Sequence, residues 1–156
     1  MATVTTIDIN NFKFEKYWTV FESTIEITGY AKVEHSSTWT EDNLKPLTKR
    51  SQGRDIVFFS KKLKTDPHFH TGHEHRLFLS GSGTFFIPTD EFLHIVECGP
   101  GDLITLNPKV VHWFKSEKNL QAIRFFEDDL VHTEQTDVPD SIRLLKKNFK
   151  KRKINV

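Results

Sequence analysis

The sequence predicts a mainly β fold, an antiparallel sandwich or jelly-roll barrel with a few flanking helices. Three observations predict it. Short runs rich in β-branched and aromatic residues recur at roughly even spacing from Asp55 to Phe126. Turn signals separate them, among them Ser80-Gly81-Ser82-Gly83 and Gly99-Pro100-Gly101-Asp102. The chain has 156 residues with 37% hydrophobic and 28% charged content, enough for one domain with a real core. Closure into a barrel manages the exposed edges that so many short strands would otherwise present.

The elements follow in order. Phe12 to Glu26 carries scattered aromatics with no clear period. Gly29 to Val33 alternates weakly and reads as a strand. Thr40 suits the N-cap of a short helix with acidic residues in its first turn, Leu44 and Leu47 facing inward, and an end at Ser51-Gln52-Gly53. Strand-like runs then occupy 56–59, 69–70, 76–79, 84–87, 92–96, 103–106, 110–114 and 121–126. After Val138-Pro139, Asp140 or Ser141 suits the cap of a final helix carrying Ile142, Leu144, Leu145 and Phe149. The chain reads as a single domain over 1–156, with a barrel core at about 55–126 and a basic helical tail at about 140–156.

Charge and cysteine usage narrow the function classes. Net charge is +1, but seven basic residues from Arg143 to Lys153 face only Asp140, giving the tail +6 and the body −5. An acidic body argues against a nucleic-acid-binding core, and the tail reads as a solvated helix. No apolar run is long enough to span a membrane, and the N-terminus lacks the pattern of a signal peptide. Cys98 is the lone cysteine, so the expected setting is reducing and cytoplasmic. Nothing in the sequence specifies an oligomeric state.

The chemistry concentrates in one stretch. His68, His70, His73, Glu74 and His75 fall within eight residues. Residues two apart share a strand face, so His68 and His70 point the same way. Beyond the bend at Thr71-Gly72, Glu74, Arg76 and Phe78 share one face, and His73, His75 and Leu77 the other. Periodicity does not choose between Glu74 and His75 as a third ligand. His73 and His75 are candidates for orienting Glu74 or for acid–base work. His35, His94 and His132 stand alone. Imidazoles with a carboxylate suit a borderline divalent metal such as Fe, Ni, Mn, Co or Zn, and a closed thiolate site is excluded by the cysteine count.

His-x-His-x3-Glu-x6-Gly, here His68 to Gly81, resembles the first motif of the cupins, whose barrel is a double-stranded β-helix. Gly101-Asp102 followed by His112 resembles the second. The longer run from His68 to Phe85, with Glu74-x-Arg76 and Gly81-Ser82-Gly83 before an aromatic, resembles the acireductone dioxygenase signature. Ala122 to Phe126 is similar to that family's arginine-bearing later strand. The resemblance implies metal ligation by His68, His70, Glu74 and His112, with Arg76 and Arg124 stabilising anionic substrate oxygens. It implies Fe(II), or Ni(II) or another divalent transition metal, acting on an enediol with O2. With iron the family gives a 2-keto acid and formate; with nickel, a shorter carboxylic acid, formate and carbon monoxide. The chain departs from the pattern at Asn107-Pro108-Lys109, where the family has Pro-Ala-Gly, and at Trp113, where arginine is common. These departures leave open a cupin metalloenzyme on a different substrate (an isomerase, a lyase or a specialised oxygenase) or a non-catalytic small-molecule-binding cupin.

Overall fold

The computed structural model describes residues 1–20, 24–50, 53–126 and 133–156. Among the described residues, twelve strands form two six-stranded antiparallel sheets that face one another. The first contains β1 (Ala2–Asp8), β2 (Phe14–Val20), β6 (Leu63–Lys64), β8 (Gly83–Pro88), β9 (Phe92–Cys98) and β11 (Trp113–Ser116), in the order β2-β1-β9-β8-β11-β6. The second contains β3 (Thr24–Ile27), β4 (Ala31–His35), β5 (Gly53–Phe59), β7 (Glu74–Ser80), β10 (Asp102–Leu106) and β12 (Leu120–Phe126), in the order β3-β4-β10-β7-β12-β5. Two helices, α1 (Glu41–Arg50) and α2 (Asp140–Lys151), complete it. The mainly β expectation with flanking helices holds.

Strand alternation builds three apolar layers. Val4, Val33, Phe78, Phe85, Ile87, Val96, Ile104 and Phe114 pack between the sheets. The outer face of the first sheet, with Phe86, Leu93 and Trp113, lies under α2 through Phe149, Ile142 and Leu145. The outer face of the second, with Leu77, Leu103 and Phe125, meets Leu44, Leu47 and Trp39. Thr40 caps α1 reciprocally with Asn43: the Asn43 N–H donates to Thr40 Oγ1 at 3.3 Å, and the Thr40 N–H to Asn43 Oδ1 at 3.2 Å. Gly101 needs its glycine. It sits at φ 90°, and a Cβ there would lie 2.6 Å from the Ser36 carbonyl oxygen.

Several sequence expectations are corrected. Beside the strands after Asp55, the sheets also hold β1, β2, β3 and β4, with β1 paired to both β2 and β9. A strand with polar threonines on its alternate positions gives little local apolar signal, and only the sheet reveals it. His68 and Phe69 form isolated bridges, to His112 and Gln135, rather than a strand, and the run expected at 110–114 becomes a strand only from Trp113. Neither Asp140 nor Ser141 caps α2; Pro139 holds the cap position, and Asp140 is the first helical residue. That helix is not simply solvated, because Phe149 is wholly buried and Lys146 nearly so. His132, and the close of α1 at Ser51-Gln52, lie outside the described residues.

The Asn107-Pro108-Lys109 turn carries a cost. Lys109 sits at φ 64°, in the left-handed region that disfavours a side chain. Its N–H donates to the His70 carbonyl at 2.8 Å, tying the turn to the histidine segment. Lys109→Gly is expected to raise stability by about 1 kcal/mol in urea unfolding.

Candidate metal centre

His68, His70 and His112 come together through pairing rather than through sequence proximity. The N–H of His68 donates to the carbonyl of His112 and the N–H of His112 returns the bond, both at 2.9 Å. This bridge sets the two imidazoles 4.4 Å apart, centroid to centroid, and His70 lies 5.2 Å from His68. All three are buried. Their ligand nitrogens lie within 4.8 Å of one another, a group that could hold a metal ion.

The ring orientations are specific. Nδ1 of His68 donates to the Asp66 carbonyl at 2.6 Å, that of His70 to Thr133 at 3.1 Å, and that of His112 to Val110 at 2.9 Å. A carbonyl oxygen can only accept, so each Nδ1 carries the proton. Each neutral ring then turns a lone pair outward at Nε2.

Glu74 meets these lone pairs. Its Oε2 lies 3.3 Å from His70 Nε2 and 3.2 Å from His112 Nε2. That oxygen is buried and makes no hydrogen bond among the described residues. Its Oε1 accepts from Arg76 at 3.1 Å. Burial alone would raise the Glu74 pKa. The Arg76 charge overcomes burial and holds the carboxyl well below the usual carboxylate range. Nitrogen and oxygen lone pairs facing one another so closely are poorly matched to each other and well matched to a cation.

Arg76 lies against the rings of Phe114 and Phe85, at 5.1 and 5.8 Å from their centroids. Arg124 stands opposite Arg76 in the β7–β12 register. Both arginines line one cavity of about 220 Å³ with the three histidines and Glu74. Phe59, Leu63, Phe85 and Phe114 supply its apolar wall. The structure thus gathers every predicted site residue in one place. It also adds Glu134, whose Oε1 lies 3.8 Å from His68 Nε2. No local pattern marks Glu134. It arrives because Gln135 bridges to Phe69.

The remaining histidines separate as strand alternation requires. His75 turns away from Glu74 and pairs its Nδ1 with Thr105 Oγ1 at 2.9 Å, and His73 stacks beside it at 5.9 Å. His35 Nδ1 meets the wholly buried Asp102 at 2.6 Å. His94 Nδ1 lies 3.1 Å from Thr6 Oγ1.

The buried imidazoles set a pH dependence. Burial first, then like-charge repulsion from His112, lowers the pKa of His68 below the ordinary 6.5; burial also lowers His70, helped by His112 and His68 against the pull of Glu74. The unfolded chain therefore takes up protons before the folded one as the pH falls through 6.5. Metal-free protein is expected to lose stability between about pH 7 and pH 5, the direction in which the unfolded state binds more protons. His94, also lowered by burial, acts with the same sign. Melting temperatures in chelator should show the slope, and His68→Gln/His70→Gln should flatten it.

The ARD/ARD' family profile matches residues 58–134. The acireductone dioxygenase of Xanthomonas campestris pv. campestris (strain B100) is 40% identical over 65 residues, 40% of this chain and 35% of the relative. That of Saccharopolyspora erythraea is 29% identical over 117 residues, 74% of this chain and 58% of the relative. The chain thus matches less than two thirds of either relative's own length. Among solved structures, the acireductone dioxygenase from Bacillus anthracis with cadmium ion in its active center superposes with a TM-score of 0.57. It is 19% identical, and the match covers 86% of this chain and 97% of that one; at that identity the likeness concerns the fold alone. No described helix is long and apolar enough to cross a membrane. The stretch from 58 to 134 carries the whole histidine–glutamate–arginine cluster, and over that stretch the chain is similar to the acireductone dioxygenases.

Proposed function

We propose that the chain is a metal-dependent dioxygenase of the acireductone type, cleaving an enediol substrate with O2. One observation carries this reading: three Nε2 lone pairs and Glu74 Oε2 converge at the floor of a cavity lined by two arginines. In the proposal His68, His70, Glu74 and His112 hold Fe(II), with Ni(II) or another divalent ion as an alternative occupant. The active-centre cadmium of the Bacillus anthracis relative supports a divalent ion in such a place. When bound, the metal supplies a Lewis acid for the enediolate oxygens and the redox chemistry that O2 requires.

The chain's own groups do the positioning. The carbonyls of Asp66, Thr133 and Val110 fix the tautomer and aim of the imidazoles. Arg76 holds Oε1 of Glu74 and so directs Oε2 toward the ring nitrogens. Arg124, with Arg76, places guanidinium charge on the cavity wall where anionic substrate oxygens would lie. The phenylalanines around them exclude water and receive the apolar end of the substrate.

The test is O2 uptake by anaerobically Fe(II)-loaded protein given an acireductone, with products identified. Rapid, metal-dependent uptake with release of formate is the expected result. No uptake by protein shown to hold iron would discard acireductone as the substrate and leave the metal centre to other chemistry.

A further inference from the structure

We propose that a groove between α2 and the segment before His68 is a binding site for a small phosphate-bearing anion. The inference is independent of the metal chemistry. Arg143, Lys146, Lys147 and Lys150 stand at i, i+3, i+4 and i+7, so one face of α2 presents four cations. All four line a groove of about 340 Å³ whose other wall includes Asp66 and Thr136. Asp66 is the single carboxylate in that lining.

Lys146 is the second, independent observation. The residue is only 7% exposed. Its ammonium donates to the Thr65 carbonyl at 3.3 Å and lies 5.5 Å from the Trp113 ring centroid. Neither contact neutralises it, and among the described residues no carboxylate forms a salt bridge with it. A buried charge whose direct contacts are all neutral is costly until an ion of opposite sign arrives. Burial first, then Lys150, pushes its pKa below the ordinary lysine value, with Asp66 opposing.

Arg143 shapes the groove. Its Nη1 donates to the Val138 carbonyl at 2.9 Å and its Nη2 to Thr136 at 2.7 Å, which locks the 136–138 segment to the helix. Several charge-assisted donors converging from one rigid face suit the oxygens of a phosphate group. The groove is bounded by protein on two sides and is one helix face wide, which favours a compact anion over an extended polymer.

The test titrates the full chain with inorganic pyrophosphate by calorimetry at low salt, where surface charges are least screened. One saturable site is expected. Lys147→Glu/Lys150→Glu, changing exposed residues, should weaken it by about tenfold or more. Lys151→Glu/Lys153→Glu makes the same change in net charge outside the groove and should weaken it by less than about threefold. Lys146→Met should abolish binding and raise the melting temperature of the free protein. The proposal is overturned by the absence of saturable binding up to about 5 mM, or by equal losses in the two double variants. It is also overturned if single-stranded oligonucleotides bind more tightly than pyrophosphate and gain strength with length.

Discussion

His112→Ala should lower the affinity for a divalent transition metal by more than about 100-fold, since even the groups that merely orient a ligand are worth about 10–100-fold. His112 is the hinge of the candidate centre. Its backbone pairs with His68, its ring stacks edge-on against that of His68, and its Nε2 lies 3.2 Å from Glu74. The truncation removes one nitrogen donor and leaves His68, His70 and Glu74 in place. It also opens a small buried void, worth about 2–3 kcal/mol of stability. Circular dichroism must therefore show a folded variant before cobalt(II) titration compares it with the wild type. A folded His112→Ala protein that binds cobalt as tightly as the wild type would refute the assignment of the centre.

Trp113→Ala should cost about 3–5 kcal/mol in unfolding free energy, the range for truncating a buried large aromatic. Trp113 is wholly buried, stacks on Phe86 at 5.4 Å and forms the floor on which α2 lies. Trp113→Arg, introducing the residue common in the family, should cost at least as much, because it places a charge in that apolar layer. Trp113→Phe should be far milder, about 1 kcal/mol. The indole N–H is buried with no hydrogen-bond partner among the described residues, so its removal offsets part of the lost packing. Equal losses for Trp113→Phe and Trp113→Ala in denaturant titrations would show that the ring is not what supports α2.

The two substitutions act on opposite sides of the chain where it enters β11. His112 faces the cavity, and Trp113, the next residue, faces α2. Alternation accounts for the separation. A loss of stability at Trp113 should therefore leave metal affinity near that of the wild type wherever the protein remains folded.

Period-two alternation is written in local order, and it was legible. It placed Glu74 and Arg76 on one face of β7 and His75 on the other, and it marked most strands after Asp55. The Gly-Asp turn before β10 was legible too, because a left-handed backbone at Gly101 demands a particular residue. Alternation could not say which face of β7 looks into the barrel, and so left Glu74 and His75 equivalent. Resemblance to a family preferred Glu74, and the geometry turns its carboxylate toward His70 and His112.

What only the tertiary structure decided depends on pairing between distant segments. Arg124 meets Arg76 because β12 lies beside β7. Glu134 reaches His68 because Gln135 bridges to Phe69. β1 joins the first sheet because β2 and β9 flank it, although its own threonines give a weak signal. The basic residues of α2 were plain as a charge run, yet the burial of Lys146 against Thr65 and Trp113 follows from how the helix docks. Local sequence specifies which side chains share a face. Which faces meet is a property of the folded sheets, set by burial and hydrogen bonding across the whole chain.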